Sequence, residues 1–286
     1  MNFESRFENI SRYLLQNPGI TLFITAAYFF TVVLPHQWFG KLIADLFENL
    51  SRSFYQGVML GLAVIFMIVY LYLLLRMLLK QKCVFVWMTL LSLMVFTFLA
   101  YPLIIIHYVE AIHYLQYAIL AFLLFPLFKN YYKVVFWGII LAFIDESYQH
   151  FYLDPGSKYL DFNDVVLDQI GLIWGLLPYT LQGSKELIER RVGFRRYYSE
   201  IIALAGLTVM ILALIASDHL SIYPDQNAAY VMIKDIPLGF WKEVGHLNAR
   251  YHVMPPLEGL IVIAFIYLYF CIGLTKIHQS KKHQTD

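Results

Sequence analysis

Runs of about twenty predominantly apolar residues, the length needed to cross a bilayer core as a helix, return along this chain from one end to the other. Eight windows qualify: roughly 18–35, 57–79, 83–106, 112–127, 134–151, 162–181, 201–216 and 257–274. Only 14% of the residues are charged and 60% are apolar. A soluble domain carries about 25% charge, so the composition excludes an ordinary globular protein, a disordered tail and a nucleic-acid binder. The expected fold is all-α: a polytopic transmembrane bundle of about eight spans, with interfacial amphipathic helices and an outer loop cap. Its organisation divides into residues 1–100 (amphipathic opening and three spans), 101–183 (a polar core of spans four to six) and 184–286 (two spans and a long loop).

No secretory signal peptide is visible, because the first apolar run follows a polar opening and lacks a small-residue cleavage site. That opening places Phe3, Phe7, Ile10 and Leu14 at helical spacing, which reads as an amphipathic interfacial segment. The stretch QWFGKLIADLFENLSRSF repeats the pattern, with Trp38, Phe39, Leu42, Ile43, Leu46, Phe47, Leu50 and Phe54 opposite Lys41, Asp45, Glu48, Asn49 and Arg52. The loop 217–256 is aromatic and rich in proline, long enough for a cap of packed loop and short helix; its His219, His246 and His252 read as surface residues. Cys83 and Cys271 sit in or beside apolar stretches, which offers neither a disulfide framework nor a metal spacing.

The acids of the fifth and sixth spans carry the functional signal. At 1.5 Å per residue, a helix entering near Val134 reaches Asp145 after about 16 Å and Gln149 after about 22 Å, inside a core about 30 Å thick. Asp145 and Gln149 stand four residues apart and share a face; Glu146 and His150 do the same on the neighbouring face. On the next span Asp164, Asp168, Gly171 and Gly175 form one stripe, whose G-x-x-x-G permits close helix approach. The segment HYVEAIHYLQY adds His107, Glu110, His113 and Tyr117 at the same depth. Ionisable groups this deep are expensive unless paired or wetted, so they predict a polar pocket opening outward. Asp145, Glu146, Asp168 and His113 are the candidate catalytic residues, with paired carboxylates dividing general acid and base roles and His113 as base or proton shuttle. Tyr117, Gln149, His150 and Asp164 are the candidate binding residues. No G-x-S-x-G, H-E-x-x-H or P-loop occurs, which argues against serine acyl transfer and nucleotide hydrolysis. A metal would draw on His113, Glu146, His150, Asp164 or Asp168, but spacing fixes neither count nor geometry; no metal site is assigned, and a cofactor is unknown.

The stretch IDESYQHFYLDPGSKYLDFNDVVLDQIGLIWG resembles the signature of the VanZ-like membrane proteins: Asp-Glu-x-x-Gln ending one span, a Pro-Gly loop, then an acidic and glycine-bearing opening of the next. HYLQYAILAF is similar to that family's preceding His-x-x-x-Tyr helix. The likeness covers about residues 105–180, and the family's polar positions fall on His113, Tyr117, Asp145, Glu146, Gln149, Asp164 and Gly171. Asp168 stands where the family usually has Asn, Glu110 where it usually has Lys, and Ser157 with Lys158 where an Arg follows Pro-Gly. Each departure makes the site more acidic. The resemblance implies a cell-envelope role, the family's founding association being resistance to teicoplanin, a glycopeptide acting outside the membrane.

The expected partners are membrane lipids or a lipid-linked envelope precursor, with no nucleic acid. A proton-coupled small-molecule transporter and a non-catalytic membrane scaffold are the alternatives. Under an eight-span topology, fifteen of the 21 Lys and Arg residues fall on the side of the two termini and six on the other. Basic loops stay in the cytoplasm, so both ends of this multi-pass cell-membrane protein are expected there. A reporter that works only outside the cytoplasm, fused to either end, is expected to be silent; activity at one end would overturn the topology.

Overall fold

The computed structural model describes residues 3–35, 38, 52–79, 83–105, 108–153, 159–182, 198–225, 227–235, 239–244 and 249–283. The all-α expectation holds. In chain order the helices are α1 (Phe3–Gln16), α2 (Pro18–Tyr28, prolonged by a π turn at Phe29–Val33), α3 (Arg52–Leu78), α4 (Val84–Ile104), α5 (Ile112–Phe128, after a 3₁₀ turn at Tyr108–Ala111), α6 (Tyr131–Tyr148, prolonged by a π turn at Gln149–Leu153), α7 (Phe162–Gln182), α8 (Tyr198–Ala216) and α9 (Pro256–His283). Four short strands lie between α8 and α9: β1 (Leu220–Ser221) pairs in parallel with β2 (Tyr230–Val231), and β3 (Lys242–Val244) is antiparallel to β4 (Ala249–Tyr251). Most of the second amphipathic stretch (39–51), the Pro-Gly loop, His107, His246 and the basic residues from Lys185 to Arg196 lie outside the described residues.

Three described helices are long and apolar enough to cross a membrane: Val84–Ile104, Tyr198–Ala216 and Pro256–Ile277, with 21, 19 and 22 residues. They match the bilayer requirement of about 20 residues and mark the chain as a membrane protein. Their outer faces carry bare apolar side chains, Phe98, Ile202 and Leu257 among them, a band that suits lipid and that water would drive into aggregation. Shorter apolar helical stretches occupy Pro18–Val33, Met67–Leu78 and Ile112–Phe128.

Helix α7 is the axis of the fold. Nearly all its side chains are buried, from Phe162 to Leu181, and α4, α5, α6 and α9 pack around it. The G-x-x-x-G stripe explains the tightest of these contacts. A Cβ added to Gly175 would stand 2.0 Å from the Ala118 carbonyl oxygen, and one added to Gly171 would stand 2.8 Å from that of Tyr114. The α7 backbone therefore rests directly on the α5 backbone, which a helix can do only where side chains are missing. Buried polar side chains then tie neighbours together: Gln169 Nε2 donates to Ile263 O (2.9 Å), Trp174 Nε1 to Thr97 Oγ1 (3.0 Å) and the Tyr70 hydroxyl to Trp174 O (2.5 Å).

The periphery departs in places from the sequence reading. In α1 the inward face is Phe7, Ser11 and Leu14, while Ile10 points outward; the Phe7 ring meets Phe122 and Tyr179 at 5.5 and 5.4 Å between centroids. The stripe is set by spacings of four and three residues, which pass Ile10 by. Helix α8 is mostly bare, but its first turn is anchored: Lys133 Nζ lies 3.1 Å from Glu200 Oε1, to which Trp137 Nε1 also donates (3.2 Å). The loop after α8 is built from strands, and no short helix occurs among its described residues.

Replacing Gly175 with valine should lower stability by about 3 kcal/mol or more, because the new atoms meet backbone that cannot swing away. Gly206→Val in α8, where nothing lies within 4 Å of the added Cβ, should be close to neutral. Thermal unfolding of the two purified variants in the same detergent checks the contrast.

Candidate functional site

The site is assembled where α5, α6 and α7 meet. Because α7 lies against the α5 backbone at His113 and Tyr114, the His113 ring reaches Asp168 across a short gap. His113 Nδ1 is 2.7 Å from Asp168 Oδ1, and His113 Nε2 is 3.7 Å from Asp164 Oδ2. Asp164 and Asp168 are successive members of the predicted stripe, so both carboxylates point at α5 and flank one imidazole. One turn along α5, the Tyr117 hydroxyl donates to Asp145 Oδ2 of α6 at 3.5 Å. On α6, Gln149 Nε2 donates to Asp145 Oδ1 (3.2 Å) and to Glu146 Oε1 (3.0 Å), binding the two adjacent acids into one group.

His113, Asp145, Glu146 and Asp168 are all buried. Asp164, which lies against His113, keeps 17% of its side chain exposed. Asp164 is the most exposed of the group, and His113, Asp168, Tyr117, Asp145, Gln149 and Glu146 are buried. One ligand atom each from His113, Glu146 and Asp168 lies within 4.8 Å of the others, and these are the described residues whose spacing could hold a metal ion. Asp168 Oδ2 meets no hydrogen-bond donor among the described residues, although it is shut away from solvent.

Seven of the eight candidate site residues thus converge. The eighth, His150, turns away: its Nε2 contacts the carbonyl oxygen of Val231 in β2 at 2.8 Å, and its ring packs on Phe151. Helical spacing placed it on the Glu146 face, but the π turn from Gln149 carries it to the strand segment, a long-range contact that spacing does not encode.

Three further polar residues organise the mouth of the site. Asn163 is buried and fully used: Nδ2 donates to the carbonyls of Ile104 (3.3 Å) and His252 (2.7 Å), and Oδ1 accepts from Met254 N (3.1 Å). It fastens the start of α7 to the end of α4 and to the segment before α9. His252 is buried rather than superficial: Nδ1 contacts Phe240 O and Nε2 contacts Glu258 Oε1, both at 2.7 Å, and its ring stacks on Phe240. His219 is exposed, as expected. Described residues of the segment after α8 therefore pack on this end of the bundle, with Leu160 N donating to Met232 O (2.7 Å) and the Tyr159 and Tyr251 hydroxyls in contact. Burial, together with the Asp161 charge, raises the pKa of the Tyr159 phenol.

Asp161 is the N-cap of α7, its Oδ1 accepting from the backbone N–H of Asn163 (2.9 Å) and Asp164 (3.3 Å). A readable signal existed, since an Asp two and three residues ahead of Asn-Asp at the start of a helical stripe is a capping pattern. Burial, followed by the charge of Asp164, pushes the Asp161 carboxyl up to about 7. Compared with known families, with curated proteins and with solved structures, the chain gives no match in any of the three.

Since Asp161 holds its proton more tightly in the fold than in the open chain, where its value is about 3.9, its contribution to stability is largest in acid. It declines as pH rises from about 4 to about 7. Thermal unfolding between pH 5 and 8 should show that decline in the wild type and a flatter profile in Asp161→Asn, which keeps a capping oxygen. An equally steep profile in the variant would rule the assignment out.

Proposed function

We propose that the chain is a multi-pass cell-membrane protein of about eight spans, with both termini cytoplasmic. In this reading the His113 cluster forms an outward-opening polar pocket that binds or modifies a lipid or lipid-linked component of the cell envelope. The observation that carries the reading is the buried 2.7 Å contact between His113 and Asp168, set among Glu146, Asp145 and Asp164 inside apolar helices. Such a group is expensive to retain in a membrane interior. A packing network of Asn or Gln would hold helices together at less expense, so the surplus of carboxylates around one imidazole points to chemistry.

The geometry supports a division of labour. Asp168, accepting at Nδ1, fixes the orientation of the His113 ring and presents Nε2 towards the partly exposed Asp164. A proton can then pass between the mouth and the interior through the ring, which is the arrangement that makes histidine a base or shuttle. Tyr117 and Gln149 hold Asp145 and Glu146 in place as a second acid group facing the same space. The strand segment, anchored through Asn163 and His252, covers the end where a headgroup would enter. The resemblance to VanZ-like proteins supports the same reading through His113, Tyr117, Asp145, Glu146, Gln149, Asp164 and Gly171, and makes teicoplanin-type glycopeptide resistance the phenotype to examine.

Comparative lipidomics of cells with and without the protein should reveal a lipid or lipid-linked species whose level depends on it. Asp145→Asn and His113→Ala, each present at normal level and stability, should reduce that dependence about 100-fold. A scaffold predicts the reverse, lowered stability with the envelope unchanged. Full retention of every lipid and envelope phenotype in well-folded variants would overturn the proposal.

A further inference from the structure

We infer that His113, Glu146 and Asp168 form a binding site for one divalent transition-metal cation. The three side chains come from three different helices, α5, α6 and α7, yet present ligand atoms within 4.8 Å of one another. Metal–ligand bonds to imidazole nitrogen and carboxylate oxygen are about 2.0–2.2 Å long. Two ligand atoms on one ion are therefore about 3–4 Å apart, and side-chain rotation of about 1 Å closes the set.

Two independent observations point to a cation. The first is Asp168 Oδ2, a completely buried oxygen with no donor among the described residues. A carboxylate oxygen shut away from water is costly to leave unsatisfied, and a metal satisfies it. The second is charge. Glu146 and Asp168 are both buried, and among the described residues neither pairs with Lys or Arg, Asp168 having only the His113 imidazole as its ion-pair partner. Two ionised carboxylates and a neutral imidazole carry a charge of minus two, which a divalent ion cancels. Coordination through Nδ1, the nitrogen facing Asp168, takes the place of the proton shared with that carboxylate in the metal-free site and leaves the imidazole neutral, its single proton on Nε2 towards Asp164.

The surroundings suit such an ion as well. Gln149 Nε2 donates to Glu146 Oε1, the kind of outer contact that orients a ligating carboxylate. The donor set is one nitrogen with carboxylate oxygens and no thiolate, which favours Zn²⁺, Mn²⁺ or Fe²⁺ over Cu⁺. Three protein ligands also leave a coordination position for water or for a phosphate or carbonyl oxygen of a bound lipid, the open arrangement of catalytic sites. This last point rests on the lipid reading above; the binding of the ion does not.

The test uses untagged full-length protein in detergent, stripped with chelator, reloaded with ZnCl₂ or MnCl₂ alone, desalted and analysed for metal. The wild type should retain about one ion per chain and Glu146→Gln and Asp168→Asn at least about tenfold less. Pulsed electron paramagnetic resonance of the Mn²⁺-loaded wild type should show coupling to an imidazole nitrogen, a readout that stands even if a variant fails to fold. An empty wild type, full occupancy in both variants, or Mn²⁺ without nitrogen coupling would overturn the inference. None of these outcomes involves lipid, so an empty site would leave the lipid proposal standing, and a bound ion without any lipid phenotype would remove that proposal alone.

Discussion

The contact between the α5 and α7 backbones governs the rest of the structure. Gly175 admits the Ala118 carbonyl and Gly171 admits that of Tyr114, and no residue with a Cβ could stand at either place without separating the helices. Lipid tails are as apolar as leucine, so helices in a membrane associate through close packing and internal polar contacts more than through burial from water. Here both devices act together. The glycines set the distance, and the same stripe of α7, one and two turns earlier, delivers Asp168 and Asp164 to His113. Packing and chemistry share one helical face.

A second consequence concerns the end of the bundle at which α7 begins. The chain runs from the strand segment into α9 through His252 and Met254, both bonded to Asn163, while Asp161 caps the helix one residue before its first turn. The α7 N-terminus presents backbone N–H groups and the positive end of its dipole at the mouth of the acid cluster. That field favours the ionised form of Asp161, against the burial that disfavours it. Burial and the Asp164 charge outweigh the backbone hydrogen bonds that favour ionisation and push the Asp161 carboxyl up to about 7, where it can exchange protons near neutral pH.

What was legible in the sequence follows from which forces are local. Helical periodicity put Asp164, Asp168, Gly171 and Gly175 on one face and paired Asp145 with Gln149, and these relations reappear as direct contacts because an α-helix fixes them within a few residues. The convergence of His113 with that stripe was inferable from the glycines. Asn163 and His252 were not, since their partners lie 59 to 91 residues away in sequence or inside an irregular segment, where no period exists to follow. His150 was misdirected for the same reason: its partner is a carbonyl of β2, and a strand two residues long leaves almost no pattern. The closeness of Glu146 to Asp168 also needed the structure, because side-chain reach across a helix interface depends on rotamer and axial offset together.

Glycine-mediated contact of α5 with α7 builds a buried acid–imidazole site, which we propose holds an ion, water or a headgroup. An experimental density map of the protein in lipid nanodiscs tests it most directly. The account predicts the Gly175 backbone seated on Ala118, the His113 ring against Asp168, and density for an ion, ordered water or a headgroup between His113, Glu146 and Asp168. Helices α5 and α7 held apart, or the same space filled by apolar side chains, would contradict it.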